Sequence, residues 1–192
     1  MNYDPEKHHR RSIRLRGYDY SQAGYYFVTI CCYQRQRLFG DIVNGAMQLN
    51  EYGEIVKQEW LRSAVIRTNI ELDEFIVMPN HFHGIIIIDK NLSITPQIAR
   101  ANSRSPLRQS NKPIMPLMKP KSLSSLMAGF KSSVTKQINT IRYTPGSKIW
   151  QRNYYEHIIR NEKALNNIRQ YIINNPLSWD NDQLHPDNPS KW

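Results

Sequence analysis

The sequence predicts an α+β fold, an antiparallel sheet built from hairpins with helices packed on one face. Three observations lead there. Runs rich in aromatic and β-branched residues recur at 25–33, 70–78 and 81–88. Two turn signals, Asn44-Gly45 and Pro79-Asn80, join apolar runs directly, so the flanking strands pair antiparallel. Three stretches carry apolar residues at three- and four-residue spacing, giving the order β-β-β-α-β-β-α-(β)-α.

Taken in order, Tyr25-Tyr26-Phe27-Val28-Thr29-Ile30-Cys31-Cys32-Tyr33 reads as a central strand, and Asn44-Gly45 marks a hairpin. Asn50 caps a helix to about Ala64, with Tyr52, Ile55, Val56, Trp60 and Ala64 on one face. Ile70 to Met78 is the next strand, and Pro79-Asn80 turns it into a strand from His81 to Ile88, whose four consecutive isoleucines imply burial. Residues 90–121 break the pattern with five prolines and seven basic side chains but no acidic one, which reads as a basic, Pro-rich insertion. Ser122 caps a long helix to about Arg142, striped by Leu123, Leu126, Met127, Phe130, Val134, Ile138 and Ile141. Residues 150–159 are aromatic and partly extended. Asn161 caps a last helix that Pro176 stops. The expected organisation is one domain over 1–179 and a polar tail over 180–192, with no clear structure after Leu177.

A length of 192 residues suits one domain with a real core, and 40% hydrophobic with 22% charged residues is a globular composition. The net charge of +10 points to a polyanionic partner, nucleic acid ahead of membrane. The apolar runs are too short to span a bilayer, and residues 1–11 hold no apolar core of a signal peptide, so neither membrane insertion nor export is expected. The two cysteines, Cys31 and Cys32, are adjacent and have no other partner, which fits a reduced, cytoplasmic protein. No GxxxxGK[ST] loop is present, so no nucleotide cofactor is expected.

The segment richest in chemistry is Met78-Pro79-Asn80-His81-Phe82-His83-Gly84. Strand side chains alternate, so His81 and His83 share one face and Phe82 takes the other. Two imidazoles side by side on a rigid strand can be two ligands of one metal ion, and the turn places them at the strand's mouth, where a site would be reachable. The ordinary alternative is a pair of buried histidines satisfied by backbone carbonyls. On the last helix Leu165, Ile168 and Ile172 form the core stripe, and Tyr171 and Asn175, at i and i+4, lie together on its shoulder. Here the ordinary alternative is a tyrosine packing on Ala164 and Ile168.

A basic chain, His-Phe-His on a strand and Tyr-x-x-x-Asn before proline on a late helix together resemble the single-tyrosine transposases of the HUH endonuclease superfamily, and the REP-associated tyrosine transposases in particular. The segments Trp150-Gln151-Arg152-Asn153-Tyr154-Tyr155-Glu156-His157 and Asn174-Asn175-Pro176-Leu177-Ser178-Trp179 resemble that branch too, and the similarity runs from about Arg10 to Trp179. The resemblance implies a ferredoxin-like α+β fold, the HUH endonuclease fold. It implies Tyr171 as the catalytic nucleophile and His81, His83 and Asn175 as ligands of Mg²⁺ or Mn²⁺. The implied activity is cleavage and rejoining of single-stranded, hairpin-containing DNA through a 5′-phosphotyrosine, as in DNA transposition, by a monomer or homodimer. Arg10, Arg11, Arg14, Arg16, Arg100, Arg104, Arg108, Lys121 and Arg152 are the candidate phosphate contacts, with Tyr154 and Tyr155 stacking on unpaired bases. Tyr154 and Tyr155 are also rival nucleophiles, Glu156 and His157 accessory or rival ligands, and Asn174 a rival to Asn175; the i+4 spacing favours Asn175. Two other readings compete: a domesticated DNA-binding regulator without catalysis, and a metal-dependent nuclease that uses water.

Overall fold

Strand β1 (Gly24–Cys31) occupies an interior position in a four-stranded antiparallel sheet, as its aromatic and β-branched run requires. The computed structural model describes Leu15, residues 17–89 and residues 119–188. β2 (Gly40–Val43) and β3 (Ala46–Leu49) form a separate hairpin, where Asn44 (φ 52°) and Gly45 (φ 73°) supply the two left-handed residues that a tight two-residue turn needs. The main sheet has the order β4-β5-β1-β6, with β4 (Ile70–Met78), β5 (His81–Ile88) and β6 (Tyr155–Ile159). β4 and β5 pair antiparallel about Pro79-Asn80, as expected. Asn50, Ser122 and Asn161 cap α1 (Glu51–Ile66), α2 (Leu123–Ile141) and α3 (Glu162–Asn174), each side chain accepting from backbone N–H groups of the first turn.

The helices do not share one face. α1 and α2 cover the side bearing Tyr26, Val28, Ile30, Phe82, Ile86 and Ile88, where Trp60, Met127 and Phe130 complete the main core. α3 packs on the opposite side, burying Leu165 and Ile172 against Phe27, Ile85 and Ile159. The four isoleucines of β5 explain the difference: an unbroken apolar run at period two feeds both faces, so both must be covered. Gly84 is set by the main core, because a Cβ there would lie 2.7 Å from Trp60 Cζ2.

The segment after α3 is also ordered where no clear structure was expected. Pro176 opens a 3-10 turn, Pro176–Asn181, where its missing N–H is no loss. Trp179 is buried there, with its ring 4.6 Å from His185 and the Arg37 guanidinium 5.7 Å from its centre. Asp182 and His185 are buried beyond it. This packing draws residues 176–188 over the end of the sheet that carries His81. Among the described residues, no helix is long and apolar enough to cross a membrane.

Candidate active site

His81 and His83 share one face of β5, with ring centres 4.6 Å apart, while Phe82 points into the main core. Both are essentially fully buried rather than open at a strand mouth, because Trp179, Tyr171 and Asn175 close over them. Asn80 fixes the tautomer of His81. Its Nδ2 donates to the carbonyls of Arg35 and Leu184, so its Oδ1 must accept, and the partner at 2.8 Å is His81 Nδ1. The proton therefore sits on Nδ1, and the Nε2 lone pair faces inward. That Nε2 has no hydrogen-bond partner. His83 Nδ1 lies 2.8 Å from Thr29 Oγ1, and its Nε2 lies 3.2 Å from the Tyr171 hydroxyl.

α3 delivers the remaining groups. Tyr171 leaves 47% of its surface exposed, but its hydroxyl turns inward to His83. Asn175 keeps helical angles (φ −58°, ψ −41°) despite preceding Pro176, and is buried where Asn174 is exposed. Its Nδ2 donates to Asp182 Oδ2 at 3.2 Å, which leaves Oδ1 buried without a partner. Asp182 Oδ2 stands 3.9 Å from His81 Nε2. Among the described residues, the donor atoms of His81, His83 and Asp182 all lie within 4.8 Å of one another. Two acceptors without a hydrogen-bond partner, His81 Nε2 and Asn175 Oδ1, beside a carboxylate form a cluster that a cation would satisfy and a neutral interior would not. Mixed imidazole nitrogen and oxygen donors suit Mn²⁺, and the oxygens suit Mg²⁺.

The electrostatics follow from burial. Desolvation pushes His81 down to about 4, against the pull of Asp182 and Asn175, and drives His83 well below the usual histidine range, with His81 adding to the effect. Both imidazoles are therefore neutral near pH 7, so the His81–Asp182 approach is not an ion pair at that pH. Burial first, then the Asp182 charge, pushes the Tyr171 phenol up to about 12, while Asn175 acts in the opposite direction.

The other candidate residues divide. Tyr155 pairs with Thr29 on the site face, is 38% exposed and stands edge-on to Phe27, which in turn stands edge-on to Tyr171. Tyr154 instead packs against the main core, so it is not a free stacking platform. Glu156 is buried on the opposite face and cannot join the histidines. His157 is exposed on the site face opposite Phe27 but is not part of the ligand cluster. Arg152 is exposed just before β6. Lys121 lies at the far end of the sheet from His81, its carbonyl accepting from Asn69 Nδ2. Arg10, Arg11, Arg14, Arg16, Arg100, Arg104 and Arg108 lie outside the described residues. Asp182 is the site residue that sequence reasoning missed. Its available signal was a prolyl turn followed by an apolar anchor, Pro176-Leu177-Ser178-Trp179, which ties down the segment that carries the carboxylate.

No family model matches the chain. A Haemophilus influenzae protein described only as uncharacterized is 42% identical over 185 residues, covering 96% of this chain and 98% of that protein. Among solved structures, a REP-associated tyrosine transposase bound to a REP hairpin superposes with a TM-score of 0.56 at 19% identity, over 87% of this chain and 74% of the other. A Deinococcus radiodurans structure reaches a TM-score of only 0.40 at 16% identity, over 85% of this chain and 97% of the other. The chain thus belongs to one family with the Haemophilus influenzae protein, and its fold is similar to that of the REP-associated tyrosine transposase.

Proposed function

We propose that this protein is a metal-dependent single-stranded DNA endonuclease and strand transferase, a transposase that acts on hairpin-containing DNA through Tyr171. The observation that carries the reading is the 3.2 Å approach of the Tyr171 hydroxyl to His83 Nε2, beside the partnerless His81 Nε2 and Asn175 Oδ1. The transposase of similar fold, solved with a REP hairpin, supports DNA of that kind as substrate.

His81, His83 and Asn175, with Asp182 beside them, would hold Mg²⁺ or Mn²⁺. When bound, the ion supplies Lewis-acid polarisation of the scissile phosphate. Tyr171 Oη forms a bond to phosphorus as the P–O3′ bond breaks; the phenol loses its proton and the departing 3′ oxygen gains one. The products are a 5′-phosphotyrosine and a free 3′-OH. In the reverse sense a 3′-OH attacks phosphorus and releases Tyr171, so strands rejoin without ATP. Burial and the Asp182 charge keep the resting phenol protonated, and neutralising that charge removes the second of those two causes. Asn80 and Thr29 hold the two imidazoles in place through their Nδ1 atoms, as second partners of metal-ligating histidines do. Tyr155 and the outer part of Tyr171 offer ring faces to unpaired bases.

The test is to incubate end-labelled single-stranded hairpins with the protein and Mn²⁺, beside Tyr171→Phe, and run a denaturing gel. An SDS-resistant shifted band in wild type alone is expected. A band in both would move the nucleophile to Tyr155, and none in either, for hairpins that bind, would leave a DNA-binding protein without catalysis.

A further inference from the structure

His81 and His83 are equally buried, but their Nε2 atoms differ. That of His81 meets no hydrogen-bond partner, whereas that of His83 lies 3.2 Å from the Tyr171 hydroxyl. Both Nδ1 atoms are engaged at 2.8 Å, His81 with Asn80 Oδ1 and His83 with Thr29 Oγ1. Nε2 is therefore the atom that each ring has left to offer a cation. On His83 that atom is already taken, and by the side chain read above as the nucleophile.

One ring nitrogen cannot serve two partners. It has a single in-plane position, filled by a lone pair or by an N–H. The Thr29 hydroxyl can donate or accept, so His83 can turn either form of Nε2 toward Tyr171. In the first form the phenol donates, and in the second it accepts. Either contact must break before Nε2 can ligate a metal ion.

The surroundings decide which group yields. His83 is 2% exposed, stacked on Phe27 at 5.4 Å and beside the His81 ring at 4.6 Å, so packing fixes the imidazole. Tyr171 stands edge-on to Phe27 and is 47% exposed, so its ring can swing outward without opening the core. Asn175, one turn further along α3, is buried and bonded to Asp182, so its Oδ1 stays in the site when the ring leaves. The helix and its ligand oxygen remain in place, and one side chain moves.

We propose that Tyr171 and the cation compete for His83 Nε2, so that the phenol is held on the imidazole until it is displaced there and is then free to attack; the competition rests on the metal-dependent reading above. Coupling runs in both directions. Whatever weakens the Tyr171–His83 contact must tighten cation binding by the same factor.

The full chain, without DNA, is titrated with Mn²⁺ by isothermal titration calorimetry as wild type, Tyr171→Phe and His83→Gln, with thermal unfolding as the check on folding. Tyr171→Phe removes the competitor and leaves His83 Nε2 unpaired, so Mn²⁺ is expected to bind about three- to tenfold more tightly, the worth of one net hydrogen bond. His83→Gln is expected to weaken binding instead. In parallel, the near-ultraviolet circular dichroism that Tyr171 contributes, wild type minus Tyr171→Phe, is expected to shrink as Mn²⁺ is added and the ring leaves its fixed place. Weaker Mn²⁺ binding in Tyr171→Phe would make the hydroxyl a metal ligand, and equal binding would make its contact with His83 incidental. Either result overturns the competition, while a loss in His83→Gln keeps the metal reading standing. Absence of Mn²⁺ binding in all three proteins would overturn both. No readout uses DNA cleavage, so failure of the phosphotyrosine chemistry alone leaves the result untouched.

Discussion

Asp182→Asn tests how the candidate site holds charge. The carboxylate stands 3.9 Å from His81 Nε2 and accepts from Asn175 Nδ2. At an effective dielectric of ~20, a unit charge on Asp182 interacts with a unit charge at that nitrogen by about 4 kcal/mol, an upper bound of roughly three decades in a binding constant. The substitution keeps the shape and one oxygen, which can still accept from the Leu184 N–H now bonded to Oδ1 at 2.6 Å. The new amide nitrogen, however, meets the Asn175 NH₂. Two donors then face each other, and relief comes by turning the Asn175 amide over, which takes its Oδ1 away from His81. Loss of charge and loss of a ligand oxygen act together, so Mn²⁺ affinity measured by isothermal titration calorimetry is expected to fall at least tenfold and up to ~100-fold, the range for groups that support metal ligands. The phenol gives an independent readout. Asp182 is the second-largest cause raising Tyr171, so the phenolate absorbance lost in Tyr171→Phe should titrate lower, below about 12, in the Asp182→Asn background. Mn²⁺ affinity within twofold of wild type, in a protein where His81→Ala abolishes binding, would refute the reasoning and leave Asp182 as a brace for Asn175 alone.

Two further outcomes follow from the same geometry. Arg169 clamps Asp73 at the bulge of β4 with two hydrogen bonds and so sets α3, and Tyr171 with it, against the sheet. Arg169→Met should slow single-turnover adduct formation about tenfold while shifting the Mn²⁺ dissociation constant less; because Arg169 is partly exposed the stability loss should be small, Arg169→Lys should restore part of the rate, and a rate equal to wild type would remove the clamp from the mechanism. For pH, His81 and His83 titrate near 6.5 when unfolded and well below that when folded, so between about 6.5 and 4 the unfolded chain binds more protons. Stability is therefore full above that window and lost as pH falls through it; the urea midpoint should drop between pH 7 and 4.5, more steeply than in His81→Gln or His83→Gln, and a flat midpoint would contradict burial of neutral imidazoles.

What could be read from sequence tracks how local the governing physics is. The shared face of His81 and His83 follows from strand alternation alone, and the proximity of Tyr171 and Asn175 from one helical turn. The caps at Asn50, Ser122 and Asn161 and the two hairpin turns are equally local. The side of the sheet that α3 covers is not: periodicity says that Leu165 and Ile172 are buried, not against which face, and only the double-sided isoleucine run of β5 hinted that both faces needed cover. Asp182 was out of reach for the same reason. It lies on no periodic element, and its place depends on Trp179 packing against Arg37 and His185, a long-range contact within a segment that looks polar throughout. Tyr154 and Tyr155 show the rule from the other side. Adjacent strand residues must face opposite ways, so one of the pair was bound to leave the site, but the register with Thr29 was needed to say which.

On the proposed function, the charge distribution separates attraction of DNA from the chemistry of the site. The site holds two neutral imidazoles and one carboxylate, so before a cation binds it offers a DNA phosphate no net attraction and one anion at close range. Attraction has to originate elsewhere. The excess of 12 basic residues over 90–155 supplies a long-range field, screened beyond ~8–10 Å at ordinary salt. Phosphates drawn by that field would raise the local concentration of a strand at the site without placing permanent positive charge beside Tyr171. A lysine or arginine in the site would make that attraction constant and would lower the phenol's pKa, promoting its ionisation whether or not a metal were present. On the proposed function, Asp182 and the cation it favours would then decide when Tyr171 becomes a nucleophile.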